Sequence, residues 1–397
     1  MKAEQSDGKL VIHLEDRIDS NNASAIEQEI HDAVAGHEAA ELVFDAEKLT
    51  YISSAGLRVL MKMAKRTDGH IKVSNVSRDI YDIFDTTGFT ELLDIQKAYR
   101  KVDVDGMEVI GRGFFGTVYR MDSETIIKVY KGKDSIPMIE NEKRMAKKAF
   151  LSGIPTAISY DIVQVGEDYG SVFELLNART FNDLVIEGEE PLEDIIAGYT
   201  DLLKVVHSTT MAPGELPSYK ERYGDYLEVI RKHLTEAQYD SLKELLSDMP
   251  DDTTVVHGDI QMKNVMKVGD EAMLIDMDTL GLGNPVFEFA GLYVTYILFE
   301  EDEPGNSMAF LGIPREAADA IWDGVVSRYF SFDDEARMQE TIDRIRLVAE
   351  IRFLYLLEST ELKNGELGER RIRHTAAHME ELLKTVKSLA ITRDVLQ

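Results

Sequence analysis

The run His257-Gly258-Asp259-Ile260-Gln261-Met262-Lys263-Asn264, followed shortly by Leu274-Ile275-Asp276-Met277-Asp278, constrains this chain more than any other stretch. Phosphoryl transfer needs a carboxylate to align the acceptor hydroxyl and oxygen ligands to hold magnesium on the nucleotide phosphates, and little covalent chemistry beyond that. Asp259 suits the first role, and Asn264 and Asp276 the second. The four fixed residues of H-G-D-x-x-x-x-N would coincide by chance in on the order of one in 400 chains of this length, so the motif needs its context.

That context lies upstream. Ile110-Gly111-Arg112-Gly113-Phe114-Phe115-Gly116-Thr117-Val118-Tyr119 reads as strand, glycine turn and strand, where missing side chains let backbone N–H groups close over phosphates. Beyond a short Asp122-Ser123-Glu124 turn, Thr125 to Tyr130 reads as another strand and sets the Lys128 ammonium beneath the loop. A helical run from Ile139 to Leu151 then supplies Glu142. Each feature has an ordinary reading: hairpin glycines make turns, a strand lysine marks an edge, and Asp276 after Met273-Leu274-Ile275 ends a strand. Five of them in this order point to a nucleotide-binding kinase fold.

This order resembles the aminoglycoside phosphotransferase and choline kinase branch of the protein-kinase-like superfamily, over about residues 100 to 300. The resemblance implies that Gly111, Gly113 and Gly116 cover ATP, with Val118 beside them, and that Lys128 contacts the phosphates while paired to Glu142. It makes Asp259 the catalytic carboxylate, and Asn264 and Asp276 the magnesium ligands. The H-G-D form and the helix end Val205-Val206-His207-Ser208 are similar to this branch. Phe173-Glu174-Leu175-Leu176-Asn177 is placed like the segment that joins the two lobes, so Glu174 and Leu176 are adenine-site candidates; an ordinary strand end has the same sequence. Two positions depart from the family pattern: Gln261 stands where relatives often carry His or Lys, the nearest ammonium being Lys263, and Glu288 replaces a commoner aspartate, a change read as structural. His257 is expected to brace the loop by hydrogen bonding, since Asp259 fills the base role.

The first hundred residues follow another pattern. Lys9 to Leu14 alternates as a strand, Asp19-Ser20-Asn21-Asn22 offers capping side chains, and Ala23 to Val34 has helical spacing. Glu41 to Asp45 is a second strand run, Tyr51 to Leu60 opens another helix, His70 to Asn75 gives a strand and Ile80 to Leu93 a helix. Strands alternating with helices predict a small α/β layer. Ser53-Ser54-Ala55-Gly56-Leu57 resembles the D-S-S-G-L signature of STAS domains, the anti-sigma factor antagonist fold, over about residues 1 to 97, with Ser53 and Ala55 replacing two signature residues. The resemblance implies binding to an anti-sigma or other STAS-binding protein, switched by phosphorylation of the residue aligned with Ser54. A phosphate at a helix N-terminus gains backbone N–H groups and the helix dipole while adding negative charge to a partner surface. The plainer reading is that Ser53 or Ser54 caps the helix.

The expected architecture is therefore an α/β STAS-like domain, residues 1–98, then an α+β bilobal protein-kinase-like domain with a helical C-lobe, residues 99–397, its N-lobe about 99–176 and its C-lobe about 177–397. The 397 residues, 44% of them hydrophobic, suffice for two or three cores. Val102 to Val109 reads as a hairpin turning on Asp105-Gly106. Residues 181 to 250 and 315 to 395 are helical in pattern, with Leu347-Val348, Ile351, Phe353-Leu354 and Leu356-Leu357 marking a buried face. A net charge of −29 opposes nucleic acid and anionic membranes, and would suit a cationic acceptor if it is more than a solvated surface. Absence of cysteine excludes disulfides and fits a reducing cytoplasm; no signal-like segment or run of about twenty apolar residues is seen, so a cytoplasmic protein is expected. Function is read as ATP- and magnesium-dependent phosphotransfer to a small molecule or a protein serine, with the STAS module regulating or docking. The alternative is a non-catalytic partner-switching protein whose kinase fold senses nucleotide.

Overall fold

In the computed structural model, residues 2–6, 8–35, 41–67, 71–112, 116–176, 178–392 and 395 are described. The chain divides into two units, Met1–Asp103 and Val104–Gln397. Gly113 and Asn177 lie outside the described residues, as does His70 at the start of a predicted strand.

The first unit is built on period-two burial. In strand Lys9–Ile18, Leu10, Ile12, Leu14 and Ile18 turn inward. Strands Lys2–Ser6, Lys9–Ile18, Glu41–Ile52, Ile71–Val76 and Asp94–Lys97 lie side by side in chain order. The first pair is antiparallel and the others parallel. Helices Ala23–Val34, Ser54–Arg66 and Arg78–Thr86 form the crossovers. Phe44, Val73, Val76 and Phe84 lie at the centre of this core, fully buried.

Three sequence expectations shift here. Tyr51 and Ile52 end a strand rather than open a helix, because Leu49 and Ile52 still point into the core. The helix predicted over Ile80 to Leu93 ends at Thr86, where Gly88 follows at φ +75°, a left-handed conformation that breaks the helix. Beyond it Asp94–Lys97 adds a strand, and Lys2–Ser6 adds another at the opposite edge.

In the second unit, the Asp105-Gly106 turn forms with the Met107 N–H donating to the Val104 carbonyl at 3.1 Å. It is not a hairpin, because Val109–Arg112 pairs onward with Gly116–Arg120. The antiparallel ladder continues through Thr125–Tyr130 and Asp168–Glu174 to Ser159–Val165. Helix Ile136–Leu151 buries Ile139, Glu142, Met145, Ala146 and Ala149. The helical part comprises Leu192–Ser208, Tyr219–Ile230, Glu236–Ser247, Arg315–Tyr329, Glu335–Ser359 and Gly365–Thr385, with helix also at Val286–Tyr293, which the sequence pattern did not mark. Leu347, Val348, Ile351, Phe353, Leu354 and Leu357 are buried as expected, whereas Leu356 is only half-buried. Two small ladders, Val255–Val256 with Gly281–Leu282 and Val265–Val268 with Glu271–Leu274, fix both ends of the segment that carries Asp259 and Asp276. Among the described residues, no helix is long and apolar enough to cross a membrane.

Candidate active site

The ladder register places the first members of the site. Val118 lies opposite Lys128, and Lys128 opposite Ser171, so Val118 and Lys128 project from the same face of the sheet. The Lys128 ammonium is 3.5 Å from Glu142 Oε1 and contacts the Asp276 carboxylate. Glu142 is buried and also accepts the Tyr130 hydroxyl at 2.5 Å. Burial disfavours the charged Lys128, but Glu142 and Asp276 outweigh it and hold its pKa above the ordinary lysine value. Lysine and aspartate meet although 148 residues separate them.

Asp276 adopts φ +59° and ψ +66°, a left-handed conformation that L-residues pay for and that persists only where surrounding contacts enforce it. Those contacts are close by. The Ile275 N–H donates to the Asn264 carbonyl at 3.0 Å, and the Asn264 amide donates to the Asp259 carbonyl at 2.8 Å and to Asp259 Oδ2 at 3.0 Å. The amide oxygen of Asn264 is not used in these bonds. Gln261 Nε2 approaches Asp259 Oδ2 at 3.2 Å. Burial, with Asp276 nearby, raises the pKa of Asp278.

The loop carrying Asp259 is anchored from below. Gly258 has φ +84°, and a Cβ there would lie 1.4 Å from the Tyr219 hydroxyl, so only glycine fits. The His257 and Gly258 N–H groups donate to the Glu288 carboxylate at 2.7 and 2.8 Å. Burial pushes Glu288 up, but His207, at 3.5 Å, together with His257 and its N–H bond, outweighs this and holds the pKa below the ordinary carboxylate value. Glu288 thus ties two successive backbone amides of this loop through one carboxylate. His257 is fully buried; its Nδ1 accepts the Asp259 N–H at 3.3 Å and its Nε2 lies 3.3 Å from the Ile275 carbonyl, which is the bracing arrangement expected. Thr279 Oγ1 donates to the His257 carbonyl at 2.7 Å, and Tyr219 and Arg222 both donate to the Thr279 carbonyl at 2.8 Å.

A cavity of about 750 Å³ unites most of the predicted residues. Gly111, Gly116, Val118, Lys128, Glu142, Glu174, Leu176, Asn264 and Asp276 all line it. Asp259 does not, and joins it through Asn264. Apolar walls from Ile110, Val118, Phe173, Leu176, Met266 and Ile275 run toward a charged end at Lys128 and Asp276. This size and polarity suit a planar apolar ring bearing an anionic chain. Asn264 and Asp276 offer the hard oxygen donors that magnesium takes alongside phosphates. Lys263 faces the same cavity, but its ammonium donates to the Phe310 carbonyl and burial lowers its pKa.

Ser54 belongs to the first unit. Ser53 caps helix Ser54–Arg66, its hydroxyl accepting the Ala55 and Gly56 N–H groups at 3.2 and 3.5 Å, which leaves Ser54 as the first helical residue with an exposed side chain. Beneath it, a Cβ on Gly56 would lie 2.7 and 2.8 Å from Ile18 and Ile52.

Sequence reasoning missed Arg352, whose guanidinium donates to the Gly258 carbonyl at 2.5 Å and lies 3.8 Å from Asp259 Oδ1. It also missed Tyr219. Neither carries a local signal, since both reach the loop from other helices.

Comparison with known proteins agrees with this division. A family model described as the phosphotransferase enzyme family matches residues 107–324, and a STAS domain model matches residues 1–103. A Bordetella bronchiseptica protein named "Putative anti-sigma factor antagonist BtrV" is 32% identical over 92 residues, 22% of this chain and 78% of its own length. Among solved structures, ADP-bound aminoglycoside phosphotransferase APH(2'')-Ib aligns at 12% identity over 72% of this chain and 94% of its own, with a TM-score of 0.46. A choline/ethanolamine kinase family protein from Mesorhizobium loti aligns at 15% identity over 70% and 88%, with a TM-score of 0.42. With more than half of its length matched by one family and the preceding segment by another, the chain belongs to the phosphotransferase enzyme family and carries a STAS domain ahead of its kinase-like domain.

Proposed function

We propose that the Val104–Gln397 unit transfers the γ-phosphoryl group of ATP to a hydroxyl of a small molecule or a protein serine, while the STAS domain regulates the transfer or docks a partner. The observation that carries this reading is the convergence on one cavity of Lys128, paired with Glu142 and Asp276, and of Asn264, bonded to Asp259.

In this reading the apolar walls take adenine, with the backbone around Glu174 and Leu176 along its edge, and Lys128 meets the phosphates. Gly111 and Gly116 let the backbone approach them; Gly113 is assigned with them by resemblance. Asn264 and Asp276 would hold magnesium, which would supply charge neutralisation at the transferring group. Asp259 orients the acceptor hydroxyl and takes its proton as the acceptor oxygen bonds the γ-phosphorus and the bond to the ADP oxygen breaks. All these positions hold residue types able to do the chemistry, whereas a nucleotide sensor without transfer has no need of Asp259.

The STAS assignment rests on the matched domain and on the likeness to a protein named as an anti-sigma factor antagonist, which supports a protein partner for this unit. Ser54, exposed and free of the capping duty, is a candidate acceptor for the chain's own kinase unit or for another kinase.

Incubation with magnesium and ATP, read by ADP release, intact mass and phosphopeptides beside an Asp259→Ala control, tests the proposal. ADP release or phosphorylation that requires Asp259 is the expected result. Phosphate on Ser54 identifies a self-contained switch, and ADP without modified protein directs the search to small acceptors. Tight ATP binding with no transfer to water, protein or any hydroxylated acceptor favours the nucleotide sensor instead.

A further inference from the structure

We infer that Arg352 is the fixed cation of the transfer site, a positioning residue that reaches from helix Glu335–Ser359 to hold the Gly258 carbonyl and the Asp259 carboxylate in place. The inference rests on the transfer reading of Asp259 and deepens it.

A carboxylate that must meet an acceptor hydroxyl benefits from a nearby charge that is already oriented before reaction. The residues adjoining Asp259 in sequence do not supply one. Gln261 is uncharged, and Lys263 is turned to the Phe310 carbonyl. Lys128 is engaged by Glu142 and Asp276. Arg352 fills the gap from elsewhere in the chain: Nη1 donates to the Gly258 carbonyl at 2.5 Å and Nη2 stands 3.8 Å from Asp259 Oδ1. The first contact fixes the peptide before Asp259, and the second acts through space on its carboxylate. A planar, permanently charged guanidinium does both from one rigid group.

The surroundings are shaped for it. Gly291 sits inside helix Val286–Tyr293, where glycine is a poor helix former. A Cβ there would lie 2.9 Å from Arg352 Nη1 and 3.2 Å from the Gly258 carbonyl, so the missing side chain leaves the passage open. Tyr219, Tyr223 and Tyr226 lie on one face of helix Tyr219–Ile230, and Tyr226 stacks on Tyr355 of the arginine's own helix with ring centroids 3.8 Å apart. Burial disfavours the cation, but the nearby Asp259 carboxylate favours it, and the pKa is held above the ordinary arginine value.

The test is magnesium-dependent ATP turnover by the full chain with water as acceptor, together with KM for ATP. Arg352→Ala is expected to lower kcat about 100-fold while KM for ATP moves less than about twofold. Arg352→Lys should recover about tenfold of the loss, since it returns charge without the planar fork. Guanidinium ion at about 20 mM should restore part of kcat to Arg352→Ala and none to Asp259→Ala, a readout that a purely structural role would not move. Gly291→Ala, which crowds the guanidinium and leaves it in the chain, should show the same split in weaker form. It keeps the test valid if Arg352→Ala fails to fold. Unchanged kcat in Arg352→Ala beside an inactive Asp259→Ala overturns this inference alone, as does a loss confined to KM. If water gives no turnover the same comparison is run with the protein or a hydroxylated acceptor; no turnover by the wild-type chain with any of these, or full turnover by Asp259→Ala, overturns the transfer reading and this inference with it.

Discussion

Each unit carries its most suggestive residues where a strand gives way to the next segment, and the two are supported in opposite ways. At Ser53–Ser54 the support is local: Ser53 caps its own helix, Gly56 lets that helix settle on Ile18 and Ile52, and Ser54 faces outward. At Gly258–Asn264 the support comes from three separate helices, through Glu288, Arg352 and the pair Tyr219 and Arg222, and from Thr279 in the turn after Asp276. Transfer chemistry tolerates displacements of only about half an ångström, so its loop must be over-determined. A surface to be read by another molecule must instead stay reachable. Holding it from beneath is enough.

The comparison breaks most sharply if the anchored loop does no chemistry. Asp259→Ala is expected to reduce ATP turnover about 1,000-fold or more, with nucleotide affinity within about threefold of wild type, because the carboxylate lies outside the cavity proposed for the nucleotide. Steady-state kinetics and equilibrium titration with ATP check the two halves.

The two glycines come next. Gly258→Ala forces a Cβ into the Tyr219 hydroxyl in a left-handed backbone and should cost about 3 kcal/mol or more. Gly56→Ala meets buried branch atoms of Ile18 and Ile52 in ordinary helical backbone, where a small shift of side chains and not a forbidden backbone is required, and should cost about 1–2 kcal/mol. Each unit's own denaturation transition gives these values. Equal costs would remove the distinction between an over-determined loop and a helix resting on a sheet.

Glu288 offers a pH-dependent test of the anchoring. Its pKa is lowered in the folded chain from an ordinary value of 4.5, so the unfolded state binds the proton more readily. Its contribution is therefore complete above about pH 4.5 and is lost as pH falls through the depressed folded value. Glu288→Gln should destabilise the kinase-like unit by about 2 kcal/mol at pH 7, since a neutral amide replaces a charge that accepts two backbone N–H bonds. Denaturant titrations at pH 7 and below pH 4.5 should show the gap from wild type narrowing at the lower pH. A constant gap would mean that Glu288 acts by shape alone.

How much of this was legible in the sequence depended on distance along the chain. Strand Thr125–Tyr130 and the segment Gly258–Asn264 announce themselves because their periodicity or spacing is local. Lys128 and Asp276 were each identifiable by residue type and order, yet their contact across the cavity follows only from the fold. Arg352, Tyr219 and Gly291 were invisible: an arginine, a tyrosine and a helix glycine have no spacing to read, and their meaning lies in which carbonyl they reach. The missed strands at Lys2–Ser6 and Asp94–Lys97 are short edge strands, whose weak alternation a buried neighbour completes. Helix ends erred in the same way, at Ile52 by tertiary burial and at Thr86 by the following glycine.

The smallest expected effect separates the two serines and decides what the first unit's loop is for. Ser53→Ala removes an oxygen that accepts two backbone N–H groups and should cost about 1 kcal/mol. Ser54→Ala removes an exposed hydroxyl from a first helical position that the cap does not use, and should change stability by less than about 0.5 kcal/mol. Ser54→Asp places a negative charge at the positive end of the helix dipole, so it should be neutral to slightly stabilising. Thermal unfolding of the three variants gives this order directly. A residue that tolerates both neutral and charged replacement without loss of fold can carry a phosphate whose whole effect falls on a partner. If Ser54→Ala instead costs as much as Ser53→Ala, then Ser54 is part of the helix's own scaffold. A modification there would loosen the unit rather than relabel its surface.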